Sequence, residues 1–151
     1  MLQQVSLFSN NLLMEQTVDY LFVYGTLLDE DNEFAKHLKD NCTFHDDGRF
    51  KGRLYDIGEY PGAIADSNYH SYVYGSIFTI NNITKVLKYI DDYEGYGDEQ
   101  DQPNLFIRQL MGIEATNGII NCWVYLYNLP VDGFKLIESG NYLTYKNKKS
   151  S

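Results

Sequence analysis

The sequence predicts an α+β domain whose mostly antiparallel β-sheet bends strongly and is flanked by short helices. Extended apolar segments outnumber helical ones, and they follow the order strand, helix, several strands, helix, hairpin and tail. The chain of 151 residues contains 14 Tyr and 8 Phe, and aromatic residues in alternating runs are typical of strands. Glycines recur inside the predicted strands, which indicates a sheet that curls toward a barrel.

One domain is the expectation for a chain of this length, because no internal repeat or linker divides it. We predict that the domain covers residues 17–145. Residues 1–16 are expected to form an N-terminal extension, and residues 146–151 a polar, frayed tail that carries the basic cluster of the sequence.

The first third of the domain predicts one strand and one helix. Residues 21–24, "LFVY", form an apolar strand that runs directly into Gly25 and Thr26. In residues 31–40 the apolar side chains of Phe34 and Leu38 lie four apart, which is typical of a short helix. Asp31 or Asn32 is expected to cap that helix.

Glycines interrupt the middle of the chain. Between Gly48 and Gly62 the sequence predicts only short extended pieces, such as residues 53–57, with a turn at Pro61–Gly62. Residues 72–80 predict a further strand, in which Gly75 marks a bulge or a close backbone approach.

The second half predicts a helix and a hairpin. Ile83, Val86, Leu87 and Ile90 repeat with helical spacing, so a helix is expected to begin after Asn81 or Asn82 and to end near Tyr93. Residues 105–115 and 118–128 predict two strands joined at Asn117–Gly118, a strong hairpin signal. Alternation in the second strand places Trp123, Tyr125 and Tyr127 on a face expected to meet water or a ligand.

Composition and motifs exclude several classes of function. With 12 basic and 21 acidic residues the net charge is −9, which argues against a nucleic-acid or anionic-membrane partner. No apolar run approaches about 18 residues, and the N-terminus lacks the features of a secretory signal. The two cysteines and three histidines show no metal-ligand spacing, and no nucleophile-elbow or phosphate-loop motif is present. We therefore expect a cytosolic protein with reduced thiols.

Two features remain as candidates for chemistry. The small-residue turn at residues 24–27 leaves backbone N–H groups at a strand tip, where they can bind an anion. Glu94 follows a buried helical stripe and lies between Tyr93 and Tyr96, where desolvation would raise its pKa and suit it to proton transfer. The alternative is an ordinary acidic, solvated loop, which the local pattern alone favours.

Six segments occur in an order that resembles the gamma-glutamylcyclotransferase-like superfamily. The segments are "FVYGTLL" (22–28), "GRLYDIGEYPGAI" (52–64), "VYGSIF" (73–78), "IDDYEGY" (90–96), "CWVYLYN" (122–128) and "ESGNYL" (138–143). The resemblance covers about residues 19–145 and is nearest to the AIG2-like and gamma-glutamylamine cyclotransferase branch. It implies a small, distorted β-barrel flanked by helices. It also makes catalysis, and not a solvated acidic loop, the favoured interpretation of Glu94.

The resemblance also implies an activity, which is the release of 5-oxoproline from a small gamma-glutamyl substrate without metal or cofactor. Glu94 would be the general acid and base. Seven residues would bind the substrate: Tyr24, Gly25, Thr26, Leu27, Tyr60, Tyr125 and Tyr142. Two alternatives stay open, a non-catalytic small-molecule binding or interaction protein and an acyltransferase that uses the same pocket. The leaving amine and the oligomeric state also stay open.

Overall fold

The computed structural model describes residues 18–26 and 31–150. The predicted N-terminal extension, residues 1–16, and Leu27 lie outside the described residues. The described part of the chain contains the following strands and helices: β1 Tyr20–Val23, α1 Glu33–Asn41, β2 Cys42–Asp56, β3 Pro61–Ala65, β4 Tyr72–Ile80, α2 Ile83–Glu94, β5 Phe106–Ala115, β6 Gly118–Tyr127, β7 Lys135–Leu136 and α3 Tyr142–Ser150.

Five strands close into a barrel in the order β2-β4-β1-β6-β5, because β5 pairs back onto β2. The closing contact is short and joins Gly48 to Ala115 and Arg49 to Glu114. The pairing of β1 with β6 is parallel, whereas the other pairings between described strands are antiparallel. β3 and β7 extend the sheet from the second half of β2. The predicted fold class, a distorted and mostly antiparallel barrel with short helices, is confirmed.

The expectation of short extended pieces between the glycines is wrong, because β2 is one strand of 15 residues that includes Gly48 and Gly52. A Cβ atom at Gly48 would lie 2.6 Å from Cγ2 of Ile113 and 3.1 Å from Cδ1 of Ile77. The glycine therefore lets neighbouring side chains approach the strand without ending it. Gly75 on β4 allows a close approach of the β1 backbone, as predicted, while the bulge lies in the pairing of β2 with β4, between Phe44 and Asp46.

The two faces of β6 both pack against apolar side chains. Cys122, Val124 and Leu126 belong to the cluster inside the barrel. Tyr125 and Tyr127 belong to a second cluster that includes residues of both α1 and α2, and Trp123 packs against it. Contact with water, one of the two expectations for this face, is therefore wrong for Tyr125 and Tyr127, because both are buried.

Helix boundaries follow the predicted signals closely. The Asn32 side chain caps α1 by accepting a hydrogen bond from the backbone N–H of Ala35 at 2.8 Å. Asn82 precedes α2 but makes no such bond, and its φ of 54° is left-handed. Gly95 ends α2 with a φ of 74°, so Glu94 occupies the last helical position. α3 includes residues 146–150 of the predicted polar tail.

Within the described residues, no helix is both long and apolar enough to cross a membrane. The same residues include no group of three or more His, Cys, Asp or Glu side chains placed to hold a metal ion.

Candidate active site

A cavity of about 570 Å³ opens between the tip of β1 and the end of α2. The loop before β3, the beginning of β5, the middle of β6 and helix α3 complete its walls. The residues that line this cavity include Tyr24, Gly25, Thr26, Asn32, Glu59, Tyr60, Pro61, Tyr93, Glu94, Phe106, Tyr125 and Lys146.

The strand tip forms one side of the cavity. β1 ends at Val23, and the chain then bends through Gly25 and Thr26. A Cβ atom at Gly25 would lie 2.9 Å from Cγ of Pro61, so a side chain there would press on this adjacent proline. Thr26 is buried, with 9% of its surface exposed. These features keep the backbone of the tip close to the space where a ligand would lie.

Tyr24 fixes the strand tip to two neighbouring strands. Its hydroxyl donates a hydrogen bond to the backbone oxygen of Tyr125 at 2.6 Å and accepts one from the backbone N–H of Ala63 at 3.3 Å. Burial, followed by the charge of Glu94, raises the pKa of this phenol. The hydroxyl is therefore neutral and is held by two backbone groups of the fold.

Glu94 forms the opposite side of the cavity. Its carboxyl is half-buried at the end of α2, and burial raises its pKa to about 7. Its charge also contributes to the raised pKa values of Tyr24, Tyr60 and Tyr125, after burial as the main cause in each case. Glu94 and these three tyrosines all line the cavity. The structure therefore places Glu94 beside the same hollow as Gly25 and Thr26.

The predicted wall residues divide into two groups. Tyr60 lines the cavity with 38% of its surface exposed, and its ring lies 5.8 Å from that of Phe106. Tyr125 lines it as well, with 5% exposed. Tyr142 is different, because it is buried in the cluster inside the barrel and is not among the cavity-lining residues that the structure describes. We therefore leave Tyr142 out of the site.

The sequence analysis missed several residues in and around the cavity. Lys146 was assigned to a frayed tail, but α3 brings it to the cavity wall. Asp91 and Arg108 form a half-buried ion pair directly behind Tyr125. One signal for Asp91 was present, because it precedes Glu94 by three residues and therefore shares its helix face. Arg108 had no comparable signal, because its partner is set by the packing of α2 on the barrel.

Residues 21–144 match the family described as "Gamma-glutamyl cyclotransferase, AIG2-like". The chain is 35% identical over 130 residues to the gamma-glutamylcyclotransferase family protein YtfP of Escherichia coli K12, which covers 82% of this chain and 95% of that protein. A YtfP protein of Citrobacter rodentium is 33% identical over 124 residues, covering 82% of this chain and 94% of that protein. The chain belongs to the AIG2-like gamma-glutamyl cyclotransferase family.

Solved structures agree with membership of the AIG2-like gamma-glutamyl cyclotransferase family. The solution structure of E. coli ytfP has a TM-score of 0.61 at 31% identity, and covers 84% of this chain and 98% of that one. An AIG2-like protein from Mus musculus has a TM-score of 0.56 at 22% identity, and covers 74% and 80% of the two chains. The second likeness bears on the fold alone.

Proposed function

We propose that this protein cyclises a small gamma-glutamyl compound, releasing 5-oxoproline and an amine, with Glu94 as the general acid and base. One observation carries the proposal. The Glu94 carboxyl, whose pKa is raised to about 7, borders the same cavity as the backbone of Gly25 and Thr26 at the tip of β1. A proton-transfer group that titrates near neutral pH beside an anion-binding turn suits a substrate that carries an ammonium and a carboxylate.

Substrate binding would use both sides of the cavity. The α-carboxylate would accept hydrogen bonds from the backbone N–H groups of Gly25 and Thr26, and from that of Leu27 beyond the described residues. The α-ammonium would pair with the ionised Glu94 carboxylate. The rings of Tyr24, Tyr60 and Tyr125 would exclude water from the head group. The cavity volume of about 570 Å³ leaves room for the leaving amine as well.

The reaction then needs only proton transfers and one bond exchange. Glu94 takes a proton from the α-ammonium, and the freed amine attacks the γ-carbonyl carbon to close a five-membered ring. As the tetrahedral intermediate collapses, the bond from that carbon to the leaving nitrogen breaks and Glu94 returns the proton to that nitrogen. Glu94 then takes the second proton from the nitrogen that has become part of the ring and passes it to the released amine, which leaves as an ammonium, so no net acid or base is consumed.

The chemistry also explains why the proposed mechanism needs no metal or cofactor. Nucleophile, electrophile and leaving group all belong to the substrate, and the protein has to orient them and move protons. Acid–base action of this kind contributes about 10²–10⁴-fold in rate, and fixing the amine against the carbonyl contributes further.

Cys42 and Cys122 are free thiols, which fits the cytosolic location that we propose.

The first test is a panel of gamma-glutamyl amino acids, amines and ε-lysine isopeptides, assayed for 5-oxoproline with wild-type protein and with Glu94→Gln. We expect turnover of at least one member by the wild type and a loss of about 10²-fold or more in kcat for the variant. Glu138→Gln is the matched control, because Glu138 is exposed and does not line the cavity. Binding of the panel without turnover would instead identify a binding protein, and gamma-glutamyl transfer to an added acceptor would identify an acyltransferase.

The pH dependence gives a second test of the role of Glu94. As a base it must be ionised in the free enzyme, so kcat/KM is expected to rise with pH through a midpoint near 7. The bound α-ammonium stabilises the carboxylate, so the corresponding midpoint in kcat should lie at lower pH. Steady-state rates between pH 5 and 9 with the best substrate measure both. A kcat/KM that is flat between pH 6 and 8 would contradict the assignment.

A further inference from the structure

A half-buried ion pair lies behind the wall of the cavity. The Asp91 side chain on α2 is paired with Arg108 on β5, with Nε 2.9 Å from Oδ1 and Nη2 3.3 Å from Oδ2. Neither residue is among the described residues that line the cavity. Because desolvation offsets most of the attraction in such pairs, stability alone is a weak reason for one to be present. The elements that the pair holds in place give a better reason for its presence.

The ion pair is connected to the strand tip through two tyrosines. Oδ1 of Asp91 also accepts a hydrogen bond from the Tyr125 hydroxyl at 2.6 Å. The backbone oxygen of Tyr125 in turn accepts the hydroxyl of Tyr24 at 2.6 Å, and Tyr24 directly precedes Gly25. The guanidinium of Arg108 is held from the other side by the Trp123 ring, 4.7 Å from its centroid. Contacts thus run without a gap from β5 to the tip of β1.

Asp91 also controls the end of the helix that carries Glu94. Its backbone oxygen accepts hydrogen bonds from the N–H groups of Gly95 and Tyr96, the two residues that follow Glu94. The side chain of Asp91 therefore ties α2 to β5 and β6, while its backbone closes the turn just beyond Glu94. Asp91 therefore helps to position both the strand tip and the end of α2, which lie on the two sides of the cavity.

We propose that Asp91 and Arg108 are positioning residues for the cyclisation, whose ion pair sets the Glu94 carboxyl opposite the Gly25–Thr26 backbone through Tyr125 and Tyr24. The inference rests on the proposed function, because positioning has meaning only if Glu94 acts on a ligand at that backbone. Asp91 and Arg108 touch no substrate in this account. They act by fixing the distance between two elements, and an error of about 1 Å in such a distance can lower a rate by about 10²-fold.

The opposite charges of Asp91 and Arg108 largely cancel each other in their effect on the Glu94 carboxyl. The titratable and charged groups that line the cavity with Glu94 are Tyr24 on the β1 side, Glu59 and Tyr60 before β3, Tyr93 on α2, Tyr125 on β6 and Lys146 on α3, and the Asp91–Arg108 pair lies behind Tyr125. Removing the Asp91 charge alone leaves Arg108 cationic, because a guanidinium does not lose its proton. The carboxylate form of Glu94 is then favoured. Removing both charges restores the balance but not the geometry.

Two variants use this difference. Asp91→Asn should lower kcat about 10–100-fold with KM changed less than about threefold, and should move the midpoint of the kcat/KM profile down by about half a pH unit or more. The double variant Asp91→Asn/Arg108→Gln should keep the low kcat while its midpoint returns toward that of the wild type. If Asp91 supported only the fold, water entering the site would lower the midpoint in both variants alike.

The controls separate the site from the scaffold. Glu114→Gln and Arg49→Gln alter a surface pair joined at 3.5 Å, and Glu114 lies on the same strand as Arg108. They should change neither kcat nor the midpoint. Tyr125→Phe removes the hydrogen bond to Asp91 but keeps the ring, so it should lower kcat about 10-fold without moving the midpoint. This milder variant decides the matter if the Asp91 variants do not fold.

A direct titration distinguishes failure of this inference from failure of the proposed function. With ¹³C-labelled glutamate side chains, the Glu94 resonance is identified by its absence in Glu94→Gln, and its midpoint is followed by NMR in each variant without turnover. No 5-oxoproline from the wild type would refute the proposed function while leaving this measurement intact. The inference is overturned if the double variant keeps a lowered midpoint or if Asp91→Asn retains wild-type kcat. If the Asp91 variants do not fold, it is overturned when Tyr125→Phe retains wild-type kcat.

Discussion

At the scale of single residues, Glu94 illustrates how a site is made at the expense of stability. Its carboxyl is half-buried and its pKa is raised to about 7 by burial. The folded protein thus holds a proton that the unfolded chain releases near pH 4.5. The stabilising contribution of the protonated group is complete below that pH and is lost as the pH rises toward 7. Above pH 7 the fold carries a poorly solvated carboxylate.

Replacing Glu94 by Gln should therefore stabilise the protein at high pH. The expected gain in free energy of unfolding at pH 8 is on the order of 3 kcal/mol, since the pKa rises from 4.5 to about 7. At pH 4 the two proteins should be about equally stable. Denaturant unfolding at both pH values measures this, with Glu138→Gln as a control that should show no such dependence. A variant less stable than the wild type at pH 8 would show that the carboxylate is favourably paired.

At the scale of secondary-structure elements, α1 and α2 were predictable, whereas α3 and the longest strand were not. Apolar spacing located α1 and α2, and Gly95 marked the end of α2, because these signals are local. The continuity of β2 through Gly48 and Gly52 was not predicted, because most of the atoms that pack against these glycines belong to residues distant in the sequence. The cover over Trp123 and Tyr127 was missed for the same reason. Strand alternation shows two faces but does not say what packs on each.

Asn32 and Asn82, the two asparagines that directly precede helices, should behave differently when they are replaced. Asn32→Ala should lower the free energy of unfolding by about 1 kcal/mol, because it removes the bond to the Ala35 N–H. Asn82→Gly should cause no loss, because Asn82 makes no side-chain cap bond and glycine accepts a φ of 54° without strain. Thermal or denaturant unfolding compares them. A loss of about 1 kcal/mol at Asn82 would reveal a capping role that this geometry does not contain.

At the scale of the whole molecule, the site exists because barrel topology brings distant segments together. β1 lies between β4 and β6, and the residues at its tip line the cavity. Ile90 of α2 packs in the same cluster as Leu21 and Tyr125, and this packing brings Glu94 to the same cavity. The motifs gave the residue types at both places. They did not predict that Tyr142 is buried in the apolar cluster with Val124 and Leu126, nor that α3 reaches the cavity through Lys146. Burial and reach are set by tertiary packing, which short motifs do not encode.

Barrel closure makes a last prediction, because the contact between β2 and β5 spans only two residue pairs and includes Gly48. Gly48→Ala would push a Cβ atom against Ile113 and Ile77, which are both fully buried, so neither can move without disturbing the core. We expect a loss of about 1–3 kcal/mol in the free energy of unfolding. Gly112→Ala is the matched control on β5. Its nearest neighbour is the Ile119 side chain at 2.9 Å, which is 65% exposed and can rotate away, so the change should stay within about 0.5 kcal/mol. Equal losses in the two variants, measured by denaturant unfolding, would mean that strand closure at Gly48 is looser than this packing implies.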